Sequence, residues 1–223
     1  MFKRIQILKN KGYTPSTILD IGAYKGYWTE LMKNIYNDCN YYLFEAIDYS
    51  DLDKFKDVPN VTVFKNVVLN DKIDTVDWYE MQNTGDSFFK EKTSFFKDCV
   101  PTKRQTIDLD TLLNNNNILK DDKNILIKID CQGAEIPILK GAKSILDRTD
   151  FIILEVPLFG QYNEGVPNFH EHIKFMDTIG FIPYDIVDLH YANDFNIQVD
   201  VMFINKNHQF NKDVSDSLLH PVQ

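Results

Sequence analysis

Short apolar runs alternate with stretches in which apolar residues recur every third or fourth position, and the two patterns take turns along most of the chain. STILDIG is a mostly apolar run that enters a glycine turn, which predicts a strand. YWTELMKNIY sets Trp28, Leu31, Met32 and Ile35 at helical spacing. CNYYLFEAI reads as a second strand, DLDKFKD as a short helix and VTVFKNVVL as a third strand. Residues 74–104 are patterned less sharply: VDWYEM predicts a strand and DSFFKEKTSFF a loop or partial helix. QTIDLDTLL carries a helix-start signal, and NILIKID is continuous enough to be a strand buried on both faces. GAEIPILKGAKSIL predicts a helix with Pro137 near its first turn, where proline is tolerated. FIILEV is the next buried strand, and FHEHIKFMDTIG a helix closed by Gly180. FIPYDIVDL and QVDVMFINK pair as a hairpin around HYANDFNI.

Alternating strands and helices predict an α/β fold, a parallel sheet with helices on both faces and right-handed crossovers. The two closing strands have no helix between them, so one of them runs antiparallel. Residues 1–205 read as a single domain and residues 206–223 as a polar, loosely held tail. The asparagine run at 114–117 reads as a surface loop.

The chain has 223 residues, which fits one large domain at about 150 residues per domain. A 43% hydrophobic content suits a packed core and excludes a disordered chain. Basic residues number 24 and acidic residues 33, a net charge of −9 that argues against non-specific nucleic-acid binding and against an electrostatic membrane anchor. No apolar run is long enough to span a bilayer, and MFKRIQILKNKGY lacks a secretory apolar region and a small-residue cleavage site. Cys39, Cys99 and Cys131 are far apart, with no CxxC pair or Cys/His cluster, so no disulfide scaffold and no metal are expected. The expectation is a soluble protein of the reducing cytoplasm.

In open sheets of this kind, ligands bind beyond the carboxyl ends of the strands. The first strand is followed by Asp20-Ile21-Gly22-Ala23-Tyr24-Lys25-Gly26. A dinucleotide fingerprint needs glycine where Tyr24 and Tyr27 stand, and a tyrosine there blocks the approach of a pyrophosphate. The DxGxxxG spacing suits a ligand without a diphosphate, and Asp20 suits a cationic or hydroxyl-bearing group. Glu45 and Ala46 end the second strand, where a carboxylate can take both hydroxyls of a ribose. Asn66 and Val67 stand at the level of an adenine edge. Lys128 and Asp130 share one face of the fourth strand; a buried lysine needs a partner, and Glu155 ends the next strand. These three are expected to form a polar cluster at the floor of the site. The loop at 157–168 is long for its type and expected to cover it. His170 and His172 follow, two apart on a helix, so at most one faces the site.

ILDIGAYKGYW, YYLFEA, QTIDLDTLL, ILIKIDCQGAEIPILKGA and FIILEV, in that order, resemble the FkbM-type S-adenosylmethionine-dependent methyltransferases over about residues 17–156. The most specific segment is KIDCQGAEIPILKGA, which is similar to the family pattern KxDxEGxExxxLxGA. The resemblance implies a Rossmann-like class I methyltransferase fold, with a seven-stranded mostly parallel sheet and an antiparallel last strand. It implies S-adenosylmethionine as cofactor, its methionine part held by Asp20, Gly22 and Gly26 and its ribose by Glu45. With the neighbouring positions Ala23, Tyr24, Ala46, Asn66 and Val67 these form the candidate cofactor-binding set. It further implies O-methylation of hydroxyls on sugars, glycans or secondary metabolites. Gln132 replaces the usual glutamate of the pattern and can carry neither negative charge nor a base role.

Methyl transfer from a sulfonium is an in-line displacement that needs alignment, exclusion of water and a base near the alcohol. Asp130 is the candidate base, oriented by Lys128, with His170 second and Glu155 a binder of acceptor hydroxyls. The expected partner is a small-molecule or glycan acceptor. Two other classes are a nicotinamide-dependent oxidoreductase, disfavoured by Tyr24, and a catalytically weak scaffold protein that retains the fold, which Gln132 favours.

Overall fold

The computed structural model describes residues 1–158 and 162–219. Ten strands and seven α-helices are found among them. The strands are β1 (Thr17–Ile21), β2 (Asn40–Phe44), β3 (Val61–Phe64), β4 (Val68–Asn70), β5 (Thr75–Trp78), β6 (Thr102–Asp108), β7 (Ile125–Ile129), β8 (Thr149–Pro157), β9 (Phe181–Ala192) and β10 (Phe195–Asn205). The helices are α1 (Phe2–Asn10), α2 (Tyr27–Ile35), α3 (Leu109–Asn116), α4 (Glu135–Lys140), α5 (Lys143–Leu146), α6 (Phe169–Thr178) and α7 (Gln209–Leu219).

Seven strands form one sheet in the order β3-β2-β1-β7-β8-β10-β9. The neighbours from β3 to β8 are parallel, and β10 runs antiparallel to both β8 and β9. The antiparallel last strand expected from the sequence is therefore β10, inserted between β8 and the edge strand β9. β1 and β7 are buried at every position, as strands covered on both faces must be. Apolar side chains fill both sides of the sheet. Leu19, Ile127 and Leu154 face a cluster with α3, α4 and α6, while Ile18, Leu126 and Ile153 face one with α1 and α2.

Two expectations are corrected by the structure, and the helix start read in QTIDLDTLL is found with a strand before it. VTVFKNVVL is not one strand: the chain breaks at Asn66, which adopts a left-handed φ of 60°, and β4 joins β6 and β5 in a second, three-stranded sheet. QTIDLDTLL is half strand, because Asp108 ends β6 and caps α3, its carboxylate accepting from the Thr111 N–H at 2.8 Å. GAEIPILKGAKSIL is two short helices rather than one. Gly141 separates them at a close crossing, where a Cβ would lie 2.5 Å from the carbonyl oxygen of Asn70.

Two further elements lie at the ends. α1 was not anticipated, although Ile5 and Leu8 stand one turn apart, and both are buried. The stretch read as a polar tail carries α7, and Phe210 at its start meets the rings of Tyr13 and Phe151. Because Ile5 is fully buried in the cluster beneath α1, Ile5→Ala is expected to destabilise the protein by about 2–5 kcal/mol. Urea unfolding measures this, and a loss near zero would mean that α1 is not part of the core.

Candidate active site

The turn after β1 is shaped by the end of β7. Asp130 donates its backbone N–H to the Ile21 carbonyl at 3.1 Å, which brings the two chains into contact. Gly22 has a φ of +75°, and a Cβ on it would fall 2.0 Å from the carbonyl oxygen of Asp130. The turn is then tied to β2, with the N–H groups of Gly22 and Ala23 both donating to the Phe44 carbonyl. Tyr24 itself adopts a φ of 50°, which aims its backbone N–H at Glu45 Oε2, 2.6 Å away. Ile47 N–H donates to the other oxygen at 2.9 Å. Burial pushes the Glu45 carboxyl up to about 7, against the pull of these backbone donors.

Beneath the turn lies a buried ionic group. Asp20 and Lys128 are directly opposite in the β1–β7 register, with Nζ 3.5 Å from Asp20 Oδ1 and 3.4 Å from Asp130 Oδ2. Nζ also donates to the Gly22 carbonyl at 3.2 Å and sits 6.0 Å from the centre of the Trp28 ring. Burial works against the ammonium, but Asp130 and Asp20 outweigh it and hold its pKa above the ordinary lysine value. Asp20 is fully buried and accepts from the Thr29 hydroxyl at 2.6 Å. Burial raises its carboxyl pKa, opposed by Lys128 and Thr29.

Lys128, Asp130 and Glu155 do come together as expected, joined by a residue whose chemistry counted against it. Gln132 Nε2 donates to Asp130 Oδ1 at 3.2 Å and to Glu155 Oε2 at 2.8 Å, while its Oε1 accepts from the Tyr162 hydroxyl at 2.8 Å. A glutamate in that place would repel both acids; the amide bridges them. Gln198 donates to Glu155 Oε1 from β10. Burial, then Asp130, Glu135 and Asp200, push the Glu155 carboxyl well above its ordinary value. Glu135, buried at the start of α4, accepts from the N–H groups of Cys131 and Gly133, and burial lifts its carboxyl to about 7. His170 is not part of this group: it is exposed on the outer side of α6. His172 is the buried one, its Nδ1 3.0 Å from the Asn168 carbonyl at the helix start.

Over the strand ends opens a cleft of about 700 Å³, counted with the solvent at its open mouth. Its floor is apolar, from Ile21, Phe44, Leu69 and Ile138, and Glu45 and Asp130 stand along it. Of the candidate cofactor residues, Gly22, Tyr24, Glu45, Ala46 and Val67 line the cleft. Asp20, Ala23, Gly26 and Asn66 do not, and act from behind it: Asp20 through Lys128, and Gly26 by leaving room for Phe55, 2.3 Å from where a Cβ would be. The sequence reading did not identify the opposite wall, which is Tyr49, Trp78 and the segment 83–88. Ser87 ties that segment to the β7 turn by donating to the Gln132 carbonyl at 3.2 Å. The loop at 157–168 reaches the site through Tyr162 and Asn163, with residues 159–161 outside the described part.

A seven-stranded sheet with one antiparallel strand, a glycine turn after the first strand and an acidic residue ending the second are the features of the class I methyltransferase fold. Comparison in sequence narrows this. The profile of the Methyltransferase FkbM domain matches residues 20–183, and the chain belongs to that family. No curated protein matches the sequence. Among solved structures, the chain is similar to a methyltransferase FkbM from Methylobacillus flagellatus KT, at 14% identity and a TM-score of 0.52. The match covers 85% of this chain and 43% of that one, so this chain spans less than half of that protein. It is also similar to 1,6-didemethyltoxoflavin-N1-methyltransferase from Burkholderia thailandensis, at 10% identity and a TM-score of 0.52, covering 92% and 78%. That structure contains 1,6-didemethyltoxoflavin and S-adenosylhomocysteine. At these identities the likeness is one of fold.

The cofactor of the family is S-adenosylmethionine, and the cleft fits it. A nucleoside needs an apolar slot and a hydroxyl acceptor, which the floor around Phe44 and the Glu45 carboxylate supply. Ribose hydroxyls donate best to an ionised carboxylate, so a ribose held by Glu45 would bind more tightly once that carboxyl has lost its proton. Binding of S-adenosylhomocysteine is expected to weaken as pH falls below about 7, approaching tenfold per pH unit, and to become flat in Glu45→Gln. Isothermal titration over a pH series tests this; an unchanged slope in Glu45→Gln would assign the titration elsewhere.

Proposed function

We propose that the protein transfers a methyl group to a hydroxyl of a sugar, glycan or secondary metabolite by in-line displacement. The observation that carries this reading is the placement of Asp130. It lines the cofactor cleft, its side chain is 38% exposed, and Lys128 and Gln132 fix it from two sides. S-adenosylmethionine supplies an electrophilic methyl group when bound. The chain's own residues then have three tasks.

Glu45 holds the ribose, and the floor around Phe44 takes the adenine. Tyr24 packs edge to face on Tyr49, at 5.0 Å between ring centres, and with Trp78 these rings line the cleft and exclude water from it. Asp130 accepts the acceptor's hydroxyl proton at a carboxylate oxygen as the new bond forms, a role worth about 10²–10⁴-fold in rate. Lys128 is a positioning residue: its ammonium, 3.4 Å from Asp130 Oδ2, keeps Asp130 oriented. Beyond Asp130, the side chains of Gln132, Glu155, Tyr162 and Gln198 offer donors and acceptors to a ligand with several hydroxyls.

We further read residues 1–205 as one methyltransferase domain, acting in the cytoplasm on a small-molecule or glycan acceptor. Three free cysteines support the compartment, and the charge of −9 supports an acceptor other than nucleic acid. No described helix is long and apolar enough to cross a membrane.

The test is calorimetric titration with S-adenosylmethionine and S-adenosylhomocysteine, with Glu45→Ala as control, followed by a panel of sugars and polyols. Micromolar binding lost in Glu45→Ala is expected. With a working acceptor, Asp130→Asn should lower kcat by at least about 10²-fold while leaving cofactor affinity intact. Full turnover by Asp130→Asn would remove it as the base, and no binding of either ligand would overturn the reading.

A further inference from the structure

The strands that close the sheet bring a second set of polar side chains to the same strand ends. Asp200 on β10 lies directly opposite Glu155 on β8. β9 folds back along β10 and sets His190 beside Gln198, two residues before Asp200. A ligand atom from each of Glu155, His190 and Asp200 lies within 4.8 Å of the other two. Asp200 is buried, while the His190 side chain remains 38% exposed and leaves the group open to solvent. None of the three lines the cofactor cleft.

Carboxylates held face to face on neighbouring strands repel each other. Lys128, the basic side chain nearest in effect to Glu155, is committed to Asp20 and Asp130. The amides of Gln132 and Gln198 donate to Glu155 but are neutral and leave the excess negative charge in place. Behind Glu155 lies a small cavity lined by Gln132, Glu135, Tyr162 and Gln198 among others. Glu135 Oε2, part of a side chain that is 99% buried by its 1% exposure, has no hydrogen-bond partner. His190 Nε2 lies 3.2 Å from Asp200 Oδ2 and offsets part of this charge; two carboxylates and one imidazole remain within reach of a shared ion, and Glu135 Oε2 beside them is unbonded.

One imidazole and two carboxylates on three adjacent strands form a mixed nitrogen and oxygen donor set. Such a set suits Mn2+ or Zn2+ better than Mg2+, which favours oxygen ligands and retains its waters. We propose that Glu155, His190 and Asp200 bind one divalent metal ion, Mn2+ or Zn2+, beside the acceptor end of the cleft. The ion cancels the Glu155–Asp200 repulsion and leaves open positions facing solvent. Its consequence for chemistry rests on the methyltransferase reading above: Gln132 links Glu155 to Asp130, so the ion would help hold the Glu155–Gln132–Asp130 chain in place.

The experiment adds MnCl2, ZnCl2 or MgCl2 to chelator-treated protein and follows binding by calorimetry, with the electron paramagnetic resonance signal of Mn2+ as a second readout. One equivalent of Mn2+ or Zn2+ per chain is expected, with Mg2+ weaker. His190→Gln and Asp200→Asn should each weaken binding at least about tenfold, the loss that even an outer-sphere partner can cause. A role as a mere ion pair between His190 and Asp200 is separated by thermal unfolding with and without metal: Mn2+ or Zn2+ should raise the wild-type unfolding temperature and leave that of Asp200→Asn unchanged, whereas a mere ion pair gives no metal-dependent shift. Metal binding that is absent in the wild type, or unchanged in both variants, would overturn the site. S-adenosylhomocysteine binding, which depends on Glu45, is measured in the same samples. Its failure would sink the cofactor reading and leave the metal result standing.

Discussion

The buried ammonium of Lys128 is the constraint on which the site is built. A lone cation at that depth would be strongly unfavourable, so it must be surrounded by negative charge and carbonyl oxygen. The β1–β7 register supplies Asp20 directly across, the next turn supplies Asp130, and the glycine turn turns a carbonyl toward it. Satisfying one charge therefore fixes three pieces of chain relative to one another. Asp20 carries this load without touching the cleft. The importance of a strand-end acid need not mean contact with a ligand; here it sets where the ligand-binding backbone lies.

The rest of the cleft follows from that anchor. With β1 and β7 in contact, only glycine fits at position 22, and the turn must leave its backbone N–H groups pointing toward β2. Glu45 is then shared between two backbone donors and the open cleft, which explains both its orientation and its elevated affinity for a proton. The opposite wall comes from residues 83–88, outside the main sheet and tied to it by Ser87.

How much of this the sequence disclosed depends on the distance over which each feature is decided. β1, β2, β7 and β8 were legible because buried parallel strands are continuous apolar runs, and Lys128 with Asp130 because period-two spacing alone puts them on one face. Glu45 was legible from its place at a strand end. What failed was set by packing between distant segments. Asn66 redirects one apolar run into two sheets, and Gly141 splits one helical pattern because β4 crosses there. His170 and His172 could be separated by helix geometry but not assigned, since burial of α6 decides which faces in. Glu155, His190 and Asp200 were not legible as a group. Their meeting depends on an antiparallel register interrupted by bulges, and no local spacing encodes it.

The strand order also governs how the molecule is made. β1 lies at the middle of the sheet, between β2, which follows it closely, and β7, which pairs Ile125 with Thr17 across more than a hundred intervening residues. During synthesis, the first third of the chain can form β1, β2 and β3, but it presents β1 as an unpaired edge until β7 leaves the ribosome. The Lys128 ammonium arrives on that same strand, so Asp20 waits unpaired for as long as the edge is open. Covering of the β1 edge and neutralisation of its buried acid are thus one event, and β8, β9 and β10 complete the sheet after it. A growing chain is most exposed to mispairing in the interval before it.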